Sequence, residues 1–183
     1  SYLSKIILHK PNFLFSFTNI GFQSYYVDQD AIALMKNLYF DSYRLGNVRK
    51  NIEEAEPMIR NADFLSFDIS AIRKSDAPGN FNANPNGFFG EEACQLCRYA
   101  GMSDKLSSIG FYEYNPIFDD NGQTASLLAQ MIWYFIDGYS NRQNELPEES
   151  TEEYTRFTVN NENFEDGLVF LKSKKTERWW MEV

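Results

Sequence analysis

LSFDISAIRKSDAPGNFNANPNG, from Leu65 to Gly87, divides into an apolar strand and a long polar loop. Phe64 to Ile69 is apolar and β-prone without alternation, the pattern of a parallel strand covered on both faces. Asp68 falls at its C-terminal end. In open α/β sheets that end is where ligands bind, so a carboxylate there is placed for chemistry. At a side-chain period of two, Asp68 and Ser70 flank Ile69 and point to the same side of the strand. Ala77-Pro78-Gly79 then supplies the turn residues of the exit loop, in which Asn82, Asn84 and Asn86 are available to a polar substrate or serve simply as loop formers.

A second stretch lies downstream. Leu106 to Tyr114 reads as another strand, with Glu113 near its end, which sets Asp68 and Glu113 on one rim of a parallel sheet. Together the two stretches carry a family resemblance. Ser66-Phe67-Asp68-Ile69-Ser70, Ala77-Pro78-Gly79, Pro85 and Gly87 resemble the S-F-D-x-D, A-P-G and P-x-G-G segments of the ureohydrolases, the arginase, agmatinase and formimidoylglutamase family. Glu113-Tyr114-Asn115-Pro116, Asp119, Gly122, Thr124 and Ala125 resemble that family's E-x-N-P-x-x-D-x-x-G-x-T-A.

The resemblance covers about Phe13 to Gly138. It implies a three-layer α/β fold with a mostly parallel sheet and helices on both faces, and a hydrolase with two manganese ions acting on a linear amidine or guanidine. By resemblance Asp68 is a manganese ligand, Ser70 occupies the place of a second aspartate ligand, and Glu113 holds the substrate's amidinium or guanidinium; Asn82 is a candidate substrate contact from its place in the exit loop alone, where a plain loop role is the simpler reading. Asn115, Pro116 and Asp119 shape the loop that presents Glu113. A neutral hydroxyl at position 70 removes a negative charge and up to two donor atoms from a hard cation's shell, and Arg73-Lys74 adds positive charge nearby. The alternative is therefore a non-catalytic relative that keeps the fold as a binding or structural module.

The matched motifs belong to the C-terminal half of that family, and the G-G-D-H and D-x-H-x-D ligand motifs are absent. The expected partner is accordingly the N-terminal half of the same protein, and a homo-oligomer is compatible. His9, the only histidine, sits beside Lys10-Pro11 at a helix end, where a solvated side chain is the simpler reading.

The 183 residues suffice for a domain with a real core, and 43% hydrophobic and 16% aromatic content place the chain among packed proteins rather than disordered ones. A formal net charge of −9 argues against nucleic acid and anionic membrane surfaces as partners and suits a cationic substrate. No apolar run is long enough to span a bilayer, and no signal-peptide pattern is present, so a soluble, cytoplasmic chain is expected.

In chain order, helices are expected over Tyr2–His9, Gln29–Asn37 with Asp28 as cap, Asn47 to about Asn61 with Pro57 kinking or dividing it, Gly90 to Ala100 closed by Gly101, and Thr124–Asp137 closed by Gly138. Further strands are expected over Asn12–Ile20, with Gly21 at the exit, and Tyr39–Leu45. Three regions result: an arginase-like α/β region over 1–139, a solvated acidic linker over 140–153, and a β-hairpin tail over 154–183. The tail comprises strands at Tyr154–Asn160, Leu168–Ser173 and Arg178–Val183, with a turn at Lys174–Glu177 and Trp179 and Trp180 on opposite faces. Cys94-Gln95-Leu96-Cys97 has the spacing of a redox dithiol or half a zinc site. With no second pair, and with Glu91 and Glu92 opposing a thiolate, two reduced cysteines packing an amphipathic helix is preferred.

Overall fold

A computed structural model describes residues 2–7, 9–11, 13–145, 147, 151–161 and 164–182. Backbone contacts divide the chain into two units, 1–142 and 143–183.

The first unit alternates strands and helices. Helix α1, Tyr2–Ile7, stops short of His9, and Leu8 and Asn12 lie outside the described residues. Strand β1, Thr18–Phe22, carries a bulge between Ile20 and Phe22, so Gly21 lies within the strand rather than at its exit. Helix α2, Gln29–Asn37, begins where the Asp28 carboxylate accepts the Asp30 N–H at 3.1 Å, the cap read from sequence. Strand β2, Asp41–Arg44, pairs parallel with β1.

The next helical stretch departs from expectation at both ends. Helix α3, Leu45–Lys50, starts two residues before Asn47 and has Arg44 as its cap residue. The break comes at Asn51 and a 3₁₀ turn over Ile52–Glu54, ahead of helix α4, Ala55–Arg60. Pro57 therefore lies in the first turn of α4, where its missing N–H has no intrahelical partner to lose.

Strand β3, Phe64–Asp68, pairs parallel with β4, Ser108–Tyr112. The two parallel ladders are separate two-stranded sheets rather than one continuous sheet. This changes the burial of β3. Phe67 is buried but Phe64 is 51% exposed, so the strand is not covered on both faces. Helix α5, Gly90–Gly101, packs between α4 and helix α6, Gln123–Ser140. The core joins Ile59, Phe67, Ile69, Ile72, Phe88, Leu96, Cys97 and Met131, and each large side chain so buried stabilises the fold by about 1.5–3 kcal/mol.

Gly101 and Gly138 do not close their helices, because α5 runs through Gly101 and α6 continues to Ser140. They form the notch at which the helices cross. A Cβ on Gly101 would lie 2.1 Å from the Phe135 carbonyl oxygen, and one on Gly138 would lie 2.3 Å from that of Arg98. Arg142, just beyond α6, donates to the carbonyls of Gly101 at 2.8 Å and Leu106 at 2.9 Å.

The second unit is an antiparallel sheet of β5, Tyr154–Asn161, β6, Phe164–Ser173, and β7, Trp179–Met181, in the order β5-β6-β7. Ser173 and Thr176 fold the β6–β7 turn by donating to the Glu145 carboxylate, each at 2.5 Å. Glu145 is thus buried rather than solvated. Leu146, Glu148, Glu149 and Ser150 of the acidic stretch, and Val183 of the last strand, lie outside the described residues. Trp180 meets Tyr154 edge-on with centroids 5.6 Å apart, whereas Trp179 lies 5.0 Å from Phe157. Among the described residues no helix is long and apolar enough to cross a membrane.

Candidate active site

Asp68 ends β3, and its register partner at the end of β4 is Tyr112, the residue before Glu113. The parallel pairing thus brings Asp68 and Glu113 to one rim. Ser70, however, is not in the strand. The chain turns into a 3₁₀ helix over Ile69–Ala71 because the Asp68 carboxylate accepts the Ser70 N–H at 2.8 Å, capping the turn. The period-two relation between Asp68 and Ser70 therefore does not hold, since it requires extended backbone through Ile69. Fully buried Ile69 and Ile72 anchor this turn.

The exit loop folds back on its own start. Phe88 donates its N–H to the Ala71 carbonyl at 2.8 Å, and Arg73 donates to that of Phe88 at 3.0 Å. Gly87 permits this approach, since a Cβ there would lie 2.4 Å from the Arg73 nitrogen. Arg73 is held by the Asp76 carboxylate at 2.8 Å and stacks on Phe89, its guanidinium carbon 3.8 Å from the ring centroid. Arg49 lies over the same ring at 3.8 Å. The positive charge expected to act against a cation site is thus partly neutralised by Asp76, while Lys74 is exposed. Asp76 also accepts the Gly90 N–H at 2.7 Å, at the start of α5. Burial raises its pKa, but the hydrogen bonds from Arg73, Gly90 and Ser75 and the Arg73 charge outweigh this and hold it below the ordinary carboxylate value. Asn82 is exposed, and its carbonyl accepts from the Asn84 side chain at 2.6 Å.

Glu113 is exposed and has φ +67°, a left-handed backbone uncommon in a residue with a Cβ. Behind it the two motif loops are clasped together. The Gly79 N–H donates to the Thr124 hydroxyl at 2.7 Å, and the Asn115 N–H donates to the Gly79 carbonyl at 2.8 Å. Asn115 caps the 3₁₀ turn Pro116–Phe118 by accepting the Ile117 N–H at 3.0 Å. Asp119 accepts the N–H groups of Thr124 and Ala125, each at 2.9 Å, and the Tyr114 hydroxyl at 3.3 Å. Burial raises the Asp119 pKa, but these donors prevail and leave it lowered. Asp119 thus shapes the loop after Glu113, as the motif suggested. The part played by Thr124 was not read from sequence, although the hydroxyl within the matched T-A pair was a signal for it.

The cysteines lie on the buried face of α5, both reduced. Burial, and secondarily Glu91, raises the Cys94 pKa, and burial, followed by Cys94, raises that of Cys97. This is packing chemistry. His9 is exposed, with Nδ1 3.2 Å from the Pro11 carbonyl.

The fit to a two-manganese centre is poor within this chain. Among the described residues no three His, Cys, Asp or Glu side chains gather where they could hold a metal ion. Asp68 has one oxygen engaged by the Ser70 amide, and Ser70 brings no charge.

Parallel ladders with carboxylates at their C-terminal rim, and a clasp between the loops that carry them, define an α/β rim. The chain belongs to the arginase family, whose model matches residues 7–137. It is 30% identical to formimidoylglutamase of Staphylococcus aureus strain MRSA252 over 95 residues, 50% of this chain and 30% of that protein. It is 29% identical to the Staphylococcus haemolyticus formimidoylglutamase over 86 residues, 46% of this chain and 28% of that one. Among solved structures, Trypanosoma cruzi formiminoglutamase superimposes with a TM-score of 0.64 at 22% identity, covering 69% of this chain and 46% of that one. Bacillus subtilis formimidoylglutamase gives 0.61 at 21%, covering 67% and 42%. A Trypanosoma cruzi formiminoglutamase structure with Mn²⁺ gives 0.58 at 22% identity, covering 63% and 40%. The chain therefore spans about three-tenths of these curated relatives and under half of these solved structures.

Proposed function

We propose that this chain supplies the Asp68–Glu113 rim of a hydrolase that cleaves a carbon–nitrogen bond of a linear amidine or guanidine, of the formimidoylglutamate type. The observation that carries this reading is the parallel register placing Asp68 opposite Tyr112, with Glu113 next along the same edge. The matched formimidoylglutamases support it over the agmatine and arginine types.

In this reading Glu113 receives the cationic end of the substrate. An amidinium or guanidinium presents parallel N–H donors, and a carboxylate accepts them in a charge-assisted, bidentate pair. The left-handed backbone at Glu113 and the Gly79–Thr124 clasp behind it restrain the segment that bears this carboxylate. Asn82 lies on the same exit loop as a polar contact for the substrate's far end. Manganese enters only with ligands from outside this chain, contributed by an N-terminal portion of the same protein. Asp68 is the ligand supplied here.

The test is to compare wild type, Ser70→Asp and Asp68→Asn, in the protein that carries this chain, for bound manganese and for release of formamide, ammonia and urea. The reading expects the wild type to hold metal and release product, and Asp68→Asn to lose both. Wild type without metal and without product, unchanged by Ser70→Asp, would make the protein a non-catalytic member of the family.

A further inference from the structure

The exit loop between Gly79 and Gly87 is fastened at both ends. Its start is held by the bonds of Gly79 to Thr124 and Asn115, and its end by the Phe88–Ala71 pair. The hold on its middle comes from the other ladder. β1 reaches the loop at its bulge, where a Cβ on Gly21 would lie 2.4 Å from the Phe88 ring. The segment after β1 then crosses the loop. Gln23 donates to the Asn86 carbonyl at 3.2 Å, and the Tyr26 hydroxyl donates to the Asn84 carboxamide oxygen at 2.6 Å. Tyr25 supports this arrangement, its ring 4.7 Å from that of Tyr26 and its hydroxyl donating to Gln23.

Asn84 is the joint of a relay. Its Oδ1 accepts from Tyr26, its Nδ2 donates to the Asn82 carbonyl at 2.6 Å, and its own carbonyl accepts the Lys74 N–H at 2.6 Å. The carboxamide fits one way only. Turned over, Oδ1 would meet the Asn82 carbonyl, two acceptors with no proton between them. The grip is on the Asn82 backbone, so the Asn82 side chain is left over. It is exposed and makes no hydrogen bond among the described residues. The neighbouring Phe81 is 80% exposed, so burial contributes little to fixing this segment, and the relay through Asn84 supplies the restraint.

We propose that Tyr26 is a positioning residue for substrate binding: through Asn84 it fixes the backbone of Asn82, so that the Asn82 carboxamide is presented to the far end of the substrate. The role rests on the hydrolase reading above. A loop residue ordered before the ligand arrives spares the complex the entropy loss of ordering it on binding. Tyr26 acts on the substrate only through Asn82, which separates it from a residue that touches the ligand itself.

A double-mutant cycle in the protein that carries this chain tests this, with calorimetric affinity for N-formimidoylglutamate as the readout. Tyr26→Phe keeps the ring and removes the hydroxyl. Tyr26 and Asn82 are both exposed, and circular dichroism verifies that the variants are folded. Tyr26→Phe and Asn82→Ala should each weaken binding by roughly three- to tenfold, the contribution of one neutral hydrogen bond. The double variant should bind like Asn82→Ala alone, because Tyr26 then has nothing left to position. Independently of any ligand, the Lys74 amide, whose acceptor is the Asn84 carbonyl, should exchange with solvent roughly three- to tenfold faster in Tyr26→Phe. Unchanged exchange at Lys74 would overturn the proposal whether or not the protein binds substrate. So would equal affinity of Tyr26→Phe and wild type, or additive losses in the double variant, which would give Tyr26 a substrate contact of its own. A wild type that binds no N-formimidoylglutamate, with faster Lys74 exchange in Tyr26→Phe, would overturn the substrate reading and the positioning role with it, leaving Tyr26 a structural latch alone.

Discussion

Thr124 Oγ1 accepts the Gly79 N–H at 2.7 Å, and this contact fastens the loop that follows Asp68 to the loop that follows Glu113. Both ends are buried. Thr124→Val preserves shape but leaves the Gly79 amide without its acceptor, at a cost of about 1–3 kcal/mol. Thr124→Ser retains the hydroxyl and should lose less. Urea denaturation of the three proteins checks the order.

The lowered pKa values of Asp119 and Asp76 fix the sign of a pH effect. A carboxyl whose folded pKa is depressed contributes stability that is fully present above its unfolded value of ~3.9 and is lost as pH falls through the folded value. Asp119→Asn and Asp76→Asn should therefore lower stability at neutral pH and narrow their deficit in strong acid. Denaturation midpoints measured from pH 7 down to acid unfolding give the comparison.

The Gly101–Gly138 notch opposes a general expectation for helices. Glycine to alanine in a helix interior ordinarily gains about 1 kcal/mol. Here the added methyl groups meet backbone at 2.1 Å and 2.3 Å, so Gly101→Ala and Gly138→Ala should each destabilise by about 1–3 kcal/mol or more. Thermal unfolding distinguishes the two signs.

The thiols give a reactivity prediction. Cys97 is fully buried and Cys94 5% exposed, and both have raised pKa values. Ellman's reagent should react with them slowly in the folded chain and rapidly in denaturant.

Features decided by neighbours in sequence were legible there. Asp28 as the cap of α2, the ends of β3 and β4 as one rim, and the Lys174–Glu177 turn all depend on local chemistry or on simple register. What escaped depends on residues brought together only by folding. Gly101 and Gly138 have the appearance of helix stops because nothing local shows that each faces the other's backbone. Ser70 left the strand because the Asp68 side chain competes for its amide. Glu145 resembles the solvated glutamates around it until Ser173 and Thr176 supply their hydroxyls. The single continuous sheet expected from alternation gave way to two ladders, a matter of strand adjacency that hydrophobic pattern does not encode.

The most direct test of the Asp68–Glu113 rim is calorimetric binding of N-formimidoylglutamate, agmatine and arginine to the protein carrying this chain, wild type against Glu113→Gln. Loss of a charge-assisted pair costs about 1.5–3 kcal/mol, so the variant should bind the preferred ligand roughly 10- to 150-fold more weakly while its unfolding midpoint stays unchanged, Glu113 being exposed. Equal binding by the two proteins, or no binding of any of the three by wild type, would contradict the assignment of Glu113 to the substrate's cationic end.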